Sequence, residues 1–157
     1  MKTLLLVRHA KTKAAVPHQT DHARALEDRG VIDAGKLAHY LRKKDLVPDQ
    51  VFVSSAKRTR TTAQILLTAF EGQDIDVVIS DELYLADVSF LGQLVSDVSD
   101  TIETLMIVGH TPGLSELALR YDRHIQGLHP AQMLLIEFDT KQWSKVNRAC
   151  VVKTRLV

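Results

Sequence analysis

The sequence predicts an α/β fold, a three-layer sandwich whose helices flank a mostly parallel central sheet. Two observations carry that prediction. Short apolar runs recur along the chain and each ends in polar residues, as buried strands do. Stretches with helical spacing separate them, and strands alternating with amphipathic helices are the pattern of a sheet covered on both faces.

The elements follow in order. Leu4 to Val7 reads as the first buried strand. Val31, Ala34, Leu37, Ala38 and Leu41 then recur at helical spacing, with Asp28 placed to cap them. Val51 to Val53 reads as the second strand, Ile65, Leu66 and Phe70 as a helix that Gly72 can end, and Val77 to Ile79 as a third buried strand. Phe90, Leu91, Leu94, Val95 and Val98 mark another helix, Leu105 to Val108 the fourth strand and Leu134 to Ile136 the fifth. The segment from Val146 to Lys153 is expected to add a last strand, and Tyr121 to Gln132, which lacks periodicity, a loop.

With 157 residues, 45% of them hydrophobic, the chain suits one domain over residues 1–157 with a core of its own. Twenty basic and nineteen acidic residues leave a formal charge of +1, so no global field draws it to nucleic acid or to an anionic membrane. Neither partner is expected. The run Thr3 to Val7 is too short for a signal-peptide core or a membrane span. Cys150, the only cysteine, has no partner for an internal disulfide, and its apolar neighbours Ala149, Val151 and Val152 suggest a buried strand position; both suit a reducing cytoplasm.

The chemistry gathers at strand ends. The first strand is followed by Arg8-His9-Ala10-Lys11-Thr12, the second by Ser54-Ser55-Ala56-Lys57-Arg58-Thr59-Arg60, and the fourth by Gly109-His110-Thr111-Pro112-Gly113. In open α/β sheets ligands bind at the carboxyl ends of the strands, so parallel strands would bring these clusters to one edge. Imidazoles and guanidiniums converging there make a phosphoryl pocket, because planar arginine donors match phosphate oxygens two at a time. A neutral imidazole is a competent nucleophile near pH 7. Cations at a helix start, here Arg58 and Arg60, are unfavourable unless an anion is bound, which again points to an oxyanion.

Leu6-Val7-Arg8-His9-Ala10, Ser54-Ser55 followed by Arg58-Thr59 and Thr62-Ala63, and Val108-Gly109-His110-Thr111-Pro112-Gly113-Leu114 resemble the histidine phosphatase superfamily, with its phosphoglycerate-mutase-like fold. The short length, Ala10 where the wider superfamily has glycine, and the Asp21, Arg24 pair are most similar to the compact SixA-type phosphohistidine phosphatases. The resemblance implies that His9 is the nucleophile, that Arg8 and Arg58 clamp the phosphoryl oxygens, and that His110 adds a donor as imidazolium. It also implies that Arg24 binds the phosphate, although Ala25 replaces the proline that often follows it. Glu82 stands where larger members place their proton donor, with Asp81 and Asp21 as alternatives. No cofactor and no metal is implied: arginine and histidine supply the positive charge.

Plainer readings apply elsewhere. His18, His22, His39, His124 and His129 are expected to be structural or solvated; His18 and His22 have the spacing of helical metal ligands but lack a third, and Pro17 argues for a loop. Lys11 and Lys57 read as surface charges, and Tyr40, Tyr84 and Trp143 as packing residues. The expected function is therefore hydrolysis of phosphohistidine on a partner of the histidine-phosphotransfer type. The alternatives are a phosphatase for small phosphate esters and a catalytically silent phospho-ligand module. Little more than a helix separates Ser55 from Val77, so an open pocket without a covering insertion is expected.

Overall fold

The computed structural model describes all residues 1–157. Its centre is one sheet of six strands: β1 (Lys2–Arg8), β2 (Gln50–Ser54), β3 (Asp76–Ser80), β4 (Thr104–Gly109), β5 (Met133–Phe138) and β6 (Val151–Leu156), in the spatial order β3-β2-β4-β1-β5-β6. β3, β2, β4 and β1 run parallel, whereas β5 lies antiparallel to β1, and β6 antiparallel to β5. The sheet is thus parallel on the side that carries the motifs.

Alternation along the strands builds the layers. In β1, Leu5 and Val7 join Val51, Val53, Met106 and Val108 under α1 (Asp28–Lys43) and α2 (Lys57–Leu67), which contribute Leu37, Leu41, Ala63 and Leu66. Leu4 and Leu6 face the other way, with Leu105, Ile107, Leu134 and Ile136, and are covered by α3 (Val88–Ser96) and α4 (Gly113–Tyr121) through Leu91, Val95, Leu114 and Leu117. β1 is therefore buried on both faces, as the continuous run Leu4 to Val7 requires.

Four details depart from expectation. β3 is an edge strand, so Val77 and Ile79 are exposed rather than buried: one flank has no neighbour and no helix covers them. The last strand starts at Val151, because Trp143–Lys145 and Arg148–Cys150 form short 3-10 turns; Cys150 ends the second of these, half-buried, with its thiol 3.6 Å from the Lys145 carbonyl. A helix not anticipated in the sequence, α4, fills the space after β4. In α1, Glu27 takes the cap position beside Asp28, and Val31 is exposed while Gly30 lies inward, where an added Cβ would come within 2.2 Å of the Lys11 carbonyl. No helix is long and apolar enough to cross a membrane.

Candidate active site

β1, β2 and β4 end side by side, with Arg8 in register with Gly109, and their outgoing turns bring Arg8, His9, Ser54, Arg58 and His110 to one edge. Backbone bonds fix the turns. His9 N donates to Gly109 O at 3.1 Å, and Ala131 N donates to the carbonyls of Arg8 and His9 at 3.2 and 3.1 Å. Ala10 N donates to Thr62 Oγ1 at 3.0 Å, and Thr62 Oγ1 donates to Arg58 O at 2.7 Å, which ties the turn that carries His9 to the first turns of α2. Ala10 is fully buried there.

His9 and His110 form the floor, 9% and 4% exposed, with ring centroids 5.3 Å apart. His9 Nδ1 lies 2.8 Å from the Ala10 carbonyl, which can only accept; Nδ1 therefore carries the hydrogen and Nε2 keeps its lone pair. Burial, together with the charges of Arg58, Arg8 and Arg24, lowers the His9 pKa to about 4 against the opposing bond to Ala10, so the ring is neutral at pH 7. His110 Nε2 is 2.7 Å from Ser54 Oγ, a fully buried hydroxyl. Burial, then Arg58, lowers the His110 pKa to about 3. That direction favours a neutral ring over the imidazolium expected; when Ser54 Oγ donates to Nε2, the ring hydrogen resides on Nδ1.

The guanidiniums are anchored from behind. Arg58, the second residue of α2, has a side chain only 5% exposed; Nη1 donates to the carbonyl of Asp21 at 2.8 Å and Nη2 to its Oδ2 at 2.9 Å. Arg8 Nη1 donates to Leu128 O at 2.9 Å. Two buried side-chain atoms in the whole chain find no partner, Arg8 Nε and His110 Nδ1. Arg8 Nε is a donor, His110 Nδ1 is one when Ser54 Oγ donates to Nε2, and both belong to this cluster. An unsatisfied buried donor costs about 1–3 kcal/mol, so an acceptor brought to this cluster would be favourably bound.

Arg24 lies in the loop between β1 and α1. It donates through Nε and Nη2 to Lys13 O, through Nη2 to Thr12 Oγ1 at 2.7 Å, and through Nη1 to Asp21 Oδ1 at 3.2 Å, which leaves it one N–H, on Nη1. Asp21 also accepts a short hydrogen bond from the Tyr84 hydroxyl. That phenol, then Arg58 and Arg24, holds the Asp21 carboxyl well below the usual carboxylate range. Glu82 and Asp81, exposed in a 3-10 turn after β3, make no ion pair or side-chain hydrogen bond with the cluster; the Ser80 hydroxyl caps that turn by accepting from Glu82 N at 3.2 Å.

Sequence reading missed three members. Ser54 orients His110. Tyr84, taken for a packing residue, stands beside the site, its ring 5.5 Å from His110 and 5.8 Å from the Arg58 guanidinium carbon. His22 packs edge-on against Tyr84 at 4.9 Å and pairs with Ser55 Oγ at 2.8 Å. Ser54 stands inside a quoted motif but was given no role, whereas neither Tyr84 nor His22 belongs to a motif or a periodic segment that could have flagged it. No group of three or more His, Cys, Asp or Glu side chains comes together as a metal site, at His18 and His22 or elsewhere.

The comparisons agree with this geometry. Residues 4–84 match the family model of the histidine phosphatase superfamily, branch 1. An uncharacterised protein of Mycobacterium leprae is 30% identical over 146 residues, which span 91% of this chain and 88% of that one. A structure assigned to phosphohistidine phosphatase SixA from Agrobacterium tumefaciens superposes with a TM-score of 0.82 at 26% identity, over 87% of this chain and 92% of that one. One assigned to SixA from Nakamurella multipartitia shares the fold with the same score at 24% identity, over 98% and 95% of the two chains. The match to the family model over residues 4–84, with the likeness to the SixA structure at 26% identity, places this chain in the histidine phosphatase superfamily as a phosphatase.

Proposed function

We propose that this phosphatase hydrolyses phosphohistidine carried on a protein, through a phosphoryl group held covalently on His9. The phosphoryl oxygens accept from Arg8 Nε, from the free N–H groups of Arg58 and from His110 Nδ1, with the last N–H of Arg24 as a further donor. These donors stabilise charge on the equatorial oxygens without moving. The His9 Nε2 lone pair forms the new N–P bond as the bond to the leaving nitrogen breaks, and that electron pair stays on the departing imidazole. A substrate ring already protonated on its distal nitrogen leaves as neutral imidazole. Water then attacks phosphorus; the N–P bond breaks, its electron pair returns to Nε2, and the water proton leaves with the phosphate.

The observation that carries the substrate reading is the state of Asp21. The Asp21 carboxyl, bound to Arg58, is engaged by Tyr84, Arg58 and Arg24 and held ionised, so it has no proton to give, and the exposed Glu82 side chain makes no hydrogen bond or ion pair with the cluster. An alkoxide leaving group needs a proton donor, and an imidazole does not. The short connection between β2 and β3 supports the same reading: it holds α2 and one 3-10 turn and no covering insertion, so a side chain projecting from a folded partner can reach the floor. An uncovered site offers a small ester few contacts.

The test compares kcat/KM for a phosphorylated histidine-phosphotransfer protein with that for phosphoserine and sugar phosphates, in the wild type and in Glu82→Gln. The protein substrate is expected to win and Glu82→Gln to leave its turnover nearly unchanged. An alkyl phosphate that wins by more than about tenfold, with Glu82→Gln abolishing its hydrolysis, would replace this reading with a small-molecule phosphatase that uses Glu82 as its acid.

A further inference from the structure

Four rings form a continuous run from the floor of the site to its rim. His9 and His110 are 5.3 Å apart, His110 and Tyr84 5.5 Å, and Tyr84 and His22 4.9 Å. The first two are buried and the last two half-exposed, so the run begins at the nucleophile and ends at solvent. Phosphoryl transfer proceeds roughly in line, with the departing group opposite the attacking Nε2. The body of any substrate larger than phosphate must extend toward solvent, and Tyr84 and His22 are the rings of this run that lie on the solvent side.

Both rings are held by bonds that need no substrate. The Tyr84 hydroxyl is tied to Asp21 and its ring lies beside the Arg58 guanidinium; His22 Nε2 is paired with Ser55 Oγ. Their planes meet at 77°, and Tyr84 meets His110 at 84°. The Tyr84 hydroxyl and His22 Nε2 are thus engaged, and the two rings form a fixed aromatic corner. Such a corner gains more from a planar ring, packed face or edge, than from an alkyl chain, because aromatic pairs add attraction beyond the area they bury.

We propose that Tyr84 and His22 are specificity-determining residues that form a leaving-group face selective for planar aromatic groups, the imidazole of phosphohistidine foremost. The proposal rests on the phosphohistidine reading for its natural substrate and on His9 as nucleophile for its direction. It assigns Tyr84 a contact with the substrate in addition to its bond to Asp21.

The test uses two non-hydrolysable probes, phenylphosphonate and methylphosphonate, which place either a ring or a methyl group on the leaving-group side. Their inhibition constants are measured against the wild type, Tyr84→Phe, Tyr84→Leu and His22→Leu. The wild type is expected to prefer phenylphosphonate. Tyr84→Phe, which keeps the ring and loses the hydroxyl, retains that preference, and Tyr84→Leu lowers it by about threefold to tenfold. His22→Leu lowers it in the same direction and serves if Tyr84→Leu does not fold. If Tyr84→Leu and His22→Leu weaken both probes by equal factors, the residues act only by supporting Asp21 and Ser55, and the proposal falls. Loss of the preference in Tyr84→Phe would overturn it as well. Wild-type preference for phosphoserine over phosphohistidine would remove the substrate reading and leave the phenyl-to-methyl ratio standing as the test of the aromatic face.

Discussion

Asp21 holds Arg58 at two points, its carbonyl oxygen 2.8 Å from Nη1 and its Oδ2 2.9 Å from Nη2. The pair is asymmetric: the Arg58 side chain is 5% exposed and that of Asp21 is 46% exposed. The carboxylate therefore reaches in from the loop to fix a buried cation that keeps further N–H groups for the proposed phosphoryl oxygens. Asp21→Asn is expected to lower kcat/KM at least about tenfold and to raise the inhibition constant of tungstate in parallel, since a hydrogen bond to a charged group contributes about 1.5–3 kcal/mol. A fall in kcat with unchanged tungstate binding would instead make Asp21 a proton donor.

Gly113 sets the approach of α4 to the turn that carries His110. A Cβ there would lie 2.0 Å from the Ala86 carbonyl, a backbone atom that cannot swing aside. Gly113→Ala is expected to cost at least about 1–3 kcal/mol of stability and to lower activity. Gly35, in the exposed middle of α1 with nothing within 4 Å, provides the control: Gly35→Ala is expected to stabilise by about 0.5–1 kcal/mol without affecting turnover. Urea midpoints of both variants check the pair, and equal midpoints would contradict the packing described for α4.

The residues at the ends of β1, β2 and β4 were legible because each follows an apolar run that must be a strand, and parallel strands deliver their outgoing turns to one edge. Arg8, His9, Arg58 and His110 meet there for that reason. Tyr84 and His22 were not legible, since one stands in a turn after an edge strand and the other in an irregular loop, where no periodicity says which way a side chain faces. The state of Asp21 was equally hidden: its partners Arg58 and Tyr84 are 37 and 63 positions away in sequence. Val77-Val78-Ile79 reads as a buried strand from composition alone, and only the strand order shows that nothing covers its flank. In the opposite direction, Leu114, Leu117, Ala118 and Tyr121 have the helical spacing of α4, which starts directly after the Thr111-Pro112 turn of the motif.

The buried histidines make stability depend on pH. His9 and His110 have pKa values lowered from 6.5 to about 4 and about 3. Between 6.5 and 4 the unfolded chain binds protons on these rings that the folded chain does not, so stability is lost as pH falls through that window and is highest above it. Asp21, whose pKa is also lowered, contributes stability that is lost only at lower pH, below the ordinary carboxylate value. The urea midpoint is expected to be lower at pH 5 than at pH 7, and His9→Gln is expected to flatten that slope. A midpoint that rises on acidification, or a slope unchanged in His9→Gln, would contradict the assignment of neutral buried rings.

The central claim is that His9 Nε2 takes the phosphoryl group, and rapid quenching with labelled substrate tests it most directly. The expected result is a stoichiometric phosphoenzyme that is labile to acid and stable to alkali, with the label on the peptide that carries His9 and absent in His9→Ala, whose turnover is lost. A phosphoenzyme stable to acid, or a His9→Ala variant that turns over at a near-normal rate, would contradict it.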